Sequence, residues 1–397
     1  MTPARPPLAD RHPLSNVGVI AGIGHTDYVR GTRRSTLELQ LEASLTALED
    51  AGLSADEVDA VIPNSVSGRA AEEFIDNLGL KDLKYSATHH TGGASVISSI
   101  QTACMAVATG QASVVLVPAG RRGYSGERVS AGRAGSPVRA NIDEFEAPHG
   151  HLNAMQWFAQ AATRHMYETG LNELHLAEVA LTMRRHAQLN PGAYFHGRPM
   201  TLEDYLGSGW VSTPFRRFDC SLETDGAAAV VITGADRAAD LPKPAPRIRG
   251  IAQGHAYPST SLIQKADLTV VEGLAHAGRR AFEMAGVRPA DIDLALLYDA
   301  TTWFVLVSLE ILGFCERGAA GEFVAGGRIA LSGDLPVNPH GGLLSEAHVS
   351  GMNHVVEAVR QLRGEVPTER RVADAELALV SNEGHFFEGA VMILEAA

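Results

Sequence analysis

Short, wholly apolar runs alternate along this chain with stretches whose apolar residues recur every three or four positions, the pattern of strands covered on both faces between amphipathic helices. Val17 to Ile20 is a β-branched run, Ser35 to Ala51 a helical stretch, and Val58 to Ser67 an apolar run ending in a polar loop. From Gly92 to Ala108 a small-residue opening leads into apolar spacing of three and four, and Ala112 to Pro118 is continuously apolar apart from Ser113. Gly110 between them is a helix stop. Apolar strands interleaved with helices predict an α/β chain with a parallel sheet buried on two faces.

An internal repeat organises these elements. ALEDAGLSADEVDAVI from Ala47 and AFEMAGVRPADIDLAL from Ala281 share Ala47/Ala281, Glu49/Glu283, Ala51/Ala285, Gly52/Gly286 and Asp59/Asp293 at one constant offset. DGAAAVVIT from Asp225 and EGAVMILEA from Glu388 echo each other in the same order. Two copies of one α/β unit, joined head to tail, are expected. The boundaries read as a Pro-rich tail at 1–14, a first half at 15–120 and 216–245, an insertion at 121–215 and a second half at 246–397. The insertion opens with Arg121, Arg122, Arg128, Arg133 and Arg139 among glycines and serines, then turns helical from His151 to Gly170 and from Leu171 to Leu189. The arginines read either as a solvated loop or as a site for a phosphate-bearing ligand, which guanidinium pairs with bidentately.

Composition narrows the function classes. Hydrophobic residues at 45% and charged ones at 20% exclude disordered, collagen-like and coiled-coil chains. A net charge of −13 argues against nucleic acid or an anionic membrane as partner, so an anionic ligand needs a local basic patch. Cys104, Cys220 and Cys315 form no CxxC pair, which points to a reducing, cytoplasmic setting. No apolar run suits a signal peptide or a membrane span, so no membrane insertion is expected.

Three motifs carry a family resemblance: GGASVISSIQTACMAVATGQASVVLV from Gly92, DCSLETDGAAAVVIT from Asp219, and NPHGGLLSEAHVSGMNHVVEAVRQLRG from Asn338. Over nearly its whole length the chain resembles the thiolase superfamily. LLYDATTW, LGFCERG and HVSGMNHVVEAVRQLRG are similar to its sterol carrier protein X and lipid-transfer-protein-like branch, which includes the aldolases of bacterial steroid side-chain degradation. The resemblance implies a thiolase fold, with two βαβαβ-type halves in a five-layer αβαβα arrangement and an inserted loop domain over coenzyme A. It also implies a homodimer and a small partner with an OB fold and zinc ribbon.

The departures from the thiolase pattern define the chemistry. The nucleophilic cysteine's place falls at Gly93, and the acid/base cysteine corresponds to Asn382. Cys104 lies about three helical turns deeper, in the setting of a buried structural thiol. An acyl-thiolate mechanism needs both cysteines. By the resemblance, Tyr298 replaces the asparagine of the Asn-Glu-Ala-Phe loop and matches a tyrosine of the steroid aldolases, and His348 falls at the oxyanion-hole histidine of thiolases, where the related aldolases carry a second tyrosine, so that it reads either as a donor to the thioester oxygen or as an acid/base. His340 is either functional or a shaper of the turn at Gly341-Gly342. Asp299 is a base or an orienting partner that strand alternation turns away from Tyr298. Glu346 and Glu383 read as hydrogen-bond partners, and His149 and His151 as tunnel lining or surface. His89 and His90 have no cysteine or carboxylate at ligand spacing, so no metal is expected.

The resemblance thus implies a lyase that cleaves a β-hydroxyacyl-CoA, with a bulky steroid-like chain, by retro-aldol chemistry. Tyr298 or His348 is the base, and backbone amides near Gly93 and Gly384 hold the thioester enolate. Coenzyme A enters as part of the substrate, contacted by Arg121, Arg122 and Arg128, with no covalently bound cofactor. A phenol of pKa about 10 needs a positive neighbour to act as a base at neutral pH, and the sequence does not identify it. Two other readings stay open: a thiolase-type acyltransferase with a displaced cysteine, and a non-catalytic scaffold or lipid carrier.

Overall fold

The structure is a computed structural model that describes residues 12–64, 69–126, 128, 144–259, 265–384 and 387–397. The first half contributes β1 (Gly18–His25), α1 (Thr36–Ala51), β2 (Ala60–Val61), α2 (Ala71–Leu78), β3 (Tyr85–Ser86), α3 (Ser95–Ala108) and β4 (Val114–Arg122). The insertion adds α4 (Ala154–Thr169), α5 (Glu173–Gln188), α6 (Leu202–Leu206) and the hairpin β5 (Trp210–Ser212) and β6 (Phe215–Arg216). The first half then closes with β7 (Asp225–Gly234). The second half runs β8 (Arg247–His255), α7 (Glu272–Ala285), β9 (Leu294–Leu296), α8 (Thr302–Ile311), α9 (Ala320–Ala325), α10 (Gly342–Ser345), α11 (Met352–Arg363), β10 (Leu377–Gly384) and β11 (Glu388–Glu395). The first eleven residues of the expected tail lie outside the described residues, as do Arg133 and Arg139.

The strand order is β3-β2-β4-β7-β1-β8-β11-β10-β9, and the two half-sheets meet edge to edge at β1 and β8, where Val19 pairs with Arg247. Between the two half-sheets lie α3 and α11, whose Ile97, Ile100, Val355 and Val359 pack with Val115 and Val230 of the first half and Leu296, Val380 and Met392 of the second. Outside the first half, Leu39 and Leu48 of α1 cover Leu116 and Val231. Outside the second, Leu274 of α7 and Trp303 of α8 cover Leu379 and Val391, and Phe158 and Met183 of the insertion join that core. Helix, sheet, helix, sheet, helix is the five-layer arrangement of the thiolase fold. Burying each large aliphatic side chain contributes about 1.5–3 kcal/mol.

The sheet is mixed, which corrects the expectation of a parallel one. β2 runs parallel to β3 and β4, and β9 to β10. The pairs β1–β7, β4–β7, β8–β11 and β10–β11 run antiparallel. Helices cover both faces of both half-sheets, and two-sided burial produces uninterrupted apolar strands whatever the strand direction.

The sequence repeat has a packing cause. A Cβ on Gly22 would stand 2.1 Å from the Ala47 carbonyl oxygen, and one on Gly250 would stand 2.3 Å from that of Ala281. In both halves a glycine lets the helix lie directly on its strand, and alanines at Ala47/Ala51 and Ala281/Ala285 keep it there. Both helices end on a left-handed glycine, Gly52 (φ 67°) and Gly286 (φ 65°), a conformation that costs glycine little. The insertion helices begin at Ala154 and Glu173, a few residues later than the apolar pattern alone places them, because Asn153 and Asn172 cap them.

Candidate active site

Five segments converge where strands of both half-sheets end, the usual place for ligand sites in α/β folds. They are the end of β4 with Arg121, the turn Gly92–Ala94 that opens α3, the segment before β7 with Ser221 and Thr224, Tyr298 just past β9, and the loop from Asn338 to Ser350 with His348. Asn382 to Gly384 at the end of β10 completes the set. Tyr298 and His348 are 6% and 8% exposed, whereas Gly93, Arg121 and Ser221 are half-buried, so the opening lies on their side.

His348 is the hub. Its Nε2 lies 3.2 Å from the Tyr298 hydroxyl and 3.4 Å from Arg121 Nη1, and its Nδ1 lies 3.3 Å from Ser221 Oγ. Its backbone N–H donates to Thr224 Oγ1 at 3.0 Å. Guanidinium only donates, so the Arg121 contact assigns the lone pair to Nε2 and the proton to Nδ1, which then donates to Ser221. The rings of Tyr298 and His348 stand edge to face at 6.0 Å.

Burial first, then Arg121 and His354, holds His348 well below its ordinary pKa, so the imidazole is neutral. Burial pushes the Tyr298 phenol above its ordinary range, while the Arg121 guanidinium pulls it back and Glu383 and Asp299 push it further up. Arg121 is the positive neighbour that the sequence left unidentified. Burial also raises the carboxyl of Glu383 to about 8, although Ser308 and Ser381 donate to its Oε1 at 3.2 Å.

The space beside Gly93 is filled. A Cβ on Gly93 would fall 2.5 Å from the Tyr298 oxygen, 2.7 Å from Cζ and 2.3 Å from the Glu383 carbonyl oxygen. Asn382 donates through Nδ2 to the carbonyls of Gly93 and Ser350, both at 3.0 Å, and so ties the α3 opening to the His348 loop. Gly384 lets β10 pass the α3 opening, because a Cβ there would stand 2.1 Å from the Thr91 carbonyl oxygen.

The other sequence candidates are distributed as follows. His340 is fully buried, edge-on to His354 at 5.0 Å, with Nε2 3.6 Å from Glu346 Oε2. No hydrogen bond among the described residues joins it to Tyr298 or His348. Arg122 turns back on Ser125 O at 3.4 Å, and Arg128 lies over the Tyr124 ring at 4.7 Å, in the turn that follows β4. Burial raises the thiols of Cys104 and Cys315 to about 12 and also raises Cys220. His89 bonds Thr102 Oγ1 at 2.7 Å, and among the described residues no group of three or more His, Cys, Asp or Glu is placed to hold a metal ion. Among them, too, no helix is long and apolar enough to cross a membrane.

Sequence reasoning missed Ser221 and Thr224 and placed Arg121 with the phosphate-binding arginines. Ser221 lies inside the quoted DCSLETDG motif, but nothing local distinguishes it from its polar neighbours. Strand alternation separates Arg121 from Arg122, and that period is visible only once β4 is known to continue through both.

Residues 254–396 match the thiolase C-terminal domain-like family. The chain is 38% identical, over 88% of its length and 91% of the relative's, to a steroid side-chain-cleaving aldolase of Thermomonospora curvata. It is also 38% identical, over 93% of its length and 96% of the relative's, to a 17-hydroxy-3-oxo-4-pregnene-20-carboxyl-CoA lyase of Mycobacterium tuberculosis. A solved Ltp2-ChsH2(DUF35) aldolase superposes with a TM-score of 0.90 at 36% identity, covering 97% of this chain and 99% of that one. The chain belongs to the thiolase superfamily, and its relatives at 38% identity there are a named aldolase and a named lyase.

Proposed function

We propose that the protein cleaves a β-hydroxyacyl-CoA bearing a steroid-like group, by retro-aldol chemistry, to a ketone or aldehyde and a shorter acyl-CoA. The observation that carries this reading is the Tyr298 hydroxyl beside Gly93, 3.2 Å from His348 Nε2. A proton-accepting pair stands where an acyl-accepting thiolate would otherwise be.

In the resting site Tyr298 is protonated and donates to the lone pair of His348 Nε2. As substrate reacts, its β-hydroxyl proton passes to Tyr298 Oη and the phenolic proton moves to His348 Nε2. The electrons of the O–H bond form the new carbonyl, and those of the Cα–Cβ bond flow into the thioester as an enolate. The N–H groups of Gly92 and Gly93 at the opening of α3 and the Arg121 guanidinium are the donors set to meet the developing negative charge, whereas the Ala94 N–H already donates to the Thr91 carbonyl at 3.0 Å. That anion offsets the repulsion between Arg121 and a protonated His348. The proton then returns through Tyr298 to the α-carbon, and the acyl-CoA leaves. Proton-transfer catalysis of this kind accelerates reactions by about 10²–10⁴.

Arg122 and Arg128 keep the role of meeting coenzyme A phosphates, while Arg121 serves the reacting end. A homodimer and a DUF35-type partner complete the reading, the latter supported by the solved aldolase named with such a subunit. The test is mass spectrometry after incubation with a branched β-hydroxyacyl-CoA, with and without a DUF35-type protein. A carbonyl product and a shortened acyl-CoA with no acylated cysteine are expected. Acyl mass on a cysteine, with turnover of a β-ketoacyl-CoA plus free CoA instead, overturns the proposal.

A further inference from the structure

Asp299 directly follows Tyr298 yet takes no part in the proton path above. Its carboxyl is completely buried. Oδ1 accepts the backbone N–H of Leu343 at 2.8 Å and Oδ2 that of Leu344 at 3.1 Å, which are the opening amides of α10. His354 Nε2 approaches Oδ1 at 3.2 Å. A Cβ on Gly342 would stand 2.1 Å from Oδ2, and Gly342 is left-handed at φ 64°, so the turn is shaped to bring these amides onto the carboxyl.

The elements held by Asp299 also hold Ser221. The Leu222 N–H donates to the Leu343 carbonyl at 2.9 Å, and the Ser221 N–H donates to the Ala300 carbonyl at 3.0 Å. Ser221 is therefore clipped between the residue after Asp299 and the first residue whose amide Asp299 binds. Its side-chain oxygen is the 3.3 Å partner of His348 Nδ1. We propose that Asp299 is a positioning residue, which sets the tautomer of His348 at a distance by fixing α10 and, through Leu343, the segment carrying Ser221. Arg121 and Tyr298 favour a lone pair on Nε2, and an acceptor for Nδ1–H is the second half of that preference, without which the other tautomer becomes populated. The link to turnover rests on the proton path assigned above, whereas the link to the tautomer does not.

The test uses Asp299→Asn in the full-length protein with ring-¹⁵N-labelled histidine, and His348→Gln identifies the His348 signals. Asparagine keeps one acceptor oxygen and turns an NH₂ toward the second amide. In the wild type, His348 Nε2 is expected at the unprotonated imidazole shift and Nδ1 at the protonated one. In Asp299→Asn the two nitrogens are expected to move toward each other as the second tautomer becomes populated, with kcat falling about 10- to 100-fold and KM changing less than about twofold. Ser221→Ala is expected to produce the same tautomer shift without disturbing α10, which keeps the proposal testable if Asp299→Asn folds poorly. An unchanged tautomer in folded Asp299→Asn, or in Ser221→Ala, overturns it. A shifted tautomer with unchanged kcat preserves the positioning and overturns the proton path instead.

Discussion

The Tyr298 hydroxyl stands 2.5 Å from the point a Cβ on Gly93 would occupy, so phenol and nucleophile compete for one volume. Contacts that short force something to move, and the neighbour on the other side is the Glu383 backbone. A side chain at position 93 and a phenol at position 298 exclude each other.

Gly93→Cys should therefore abolish lyase turnover without creating an acylated enzyme, because the new side chain displaces Tyr298. Adding Tyr298→Asn to Gly93→Cys removes the clash with the phenol and leaves only the approach to the Glu383 carbonyl oxygen, which a shift of that backbone has to relieve. Intact-protein mass spectrometry after acyl-CoA treatment is expected to show an acyl adduct on the introduced thiol in the double variant alone; an adduct on the single variant contradicts the shared-volume argument.

Tyr298→Phe removes the hydroxyl and keeps the ring against His348. Turnover of a β-hydroxyacyl-CoA is expected to fall about 10²- to 10⁴-fold, with stability changed by about 1 kcal/mol, as read from steady-state kinetics beside a denaturant melt. Undiminished kcat would return the chemistry to another residue.

Arg121→Gln should move the acid limb of the kcat/KM profile upward in pH. Arg121 depresses His348, so its loss lets the imidazole protonate nearer its ordinary value, and the protonated ring no longer accepts from Tyr298. The same change raises Tyr298 further, since Arg121 is what lowers it. An acid limb that stays in place separates Arg121 from His348.

Glu383 is a buried carboxyl raised to about 8. A folded pKa above the unfolded one, about 4.3, means that its stabilising contribution is complete below that value and is lost as pH rises through about 8. Glu383→Gln should thus gain stability relative to wild type as pH rises from about 5 to 8.5, by about 2–4 °C in Tm at the upper end. Thermal melts across that range decide it, and a pH-independent difference would mean that Glu383 stays ionised in the fold.

Cys104 is fully buried in α3 and its thiol is raised to about 12. Iodoacetamide at pH 8 should leave it unmodified in the folded enzyme, and Cys104→Ala should leave kcat within about twofold of wild type, because a thiol this far from ionisation is neither nucleophile nor base. Acylation of Cys104 by acyl-CoA would revive the displaced-cysteine acyltransferase.

The structure brings Tyr298, His348, Gly93 and Asn382 together, and the sequence singles them out because each stands in or beside a motif that carries the family resemblance. The repeat was equally legible, since direct packing of a helix on a strand demands glycine and alanine at fixed places in both halves, as at Gly22 and Gly250. Strand direction was not legible, because burial on both faces erases the difference between parallel and antiparallel runs. The contact of Arg121 with His348 was hidden for a related reason: in sequence it is one of a run of arginines, and only the pleat of β4 sends it to His348 while Arg122 turns back on Ser125. Ser221 and Asp299 act through backbone contacts among residues far apart in the chain, and no local pattern encodes those.

The half-sheets meet at the edges of β1 and β8, where Val19 pairs with Arg247, and Arg121 comes from the first half while Tyr298 and His348 come from the second. The two copies are alike in how they pack and differ in what they supply to the proton path proposed above, one the charge and the other the proton carriers. Each has become an obligate complement of the other: a chain severed between them would hold no partial activity in either piece, and only reassembly of the pieces would bring the proton path back.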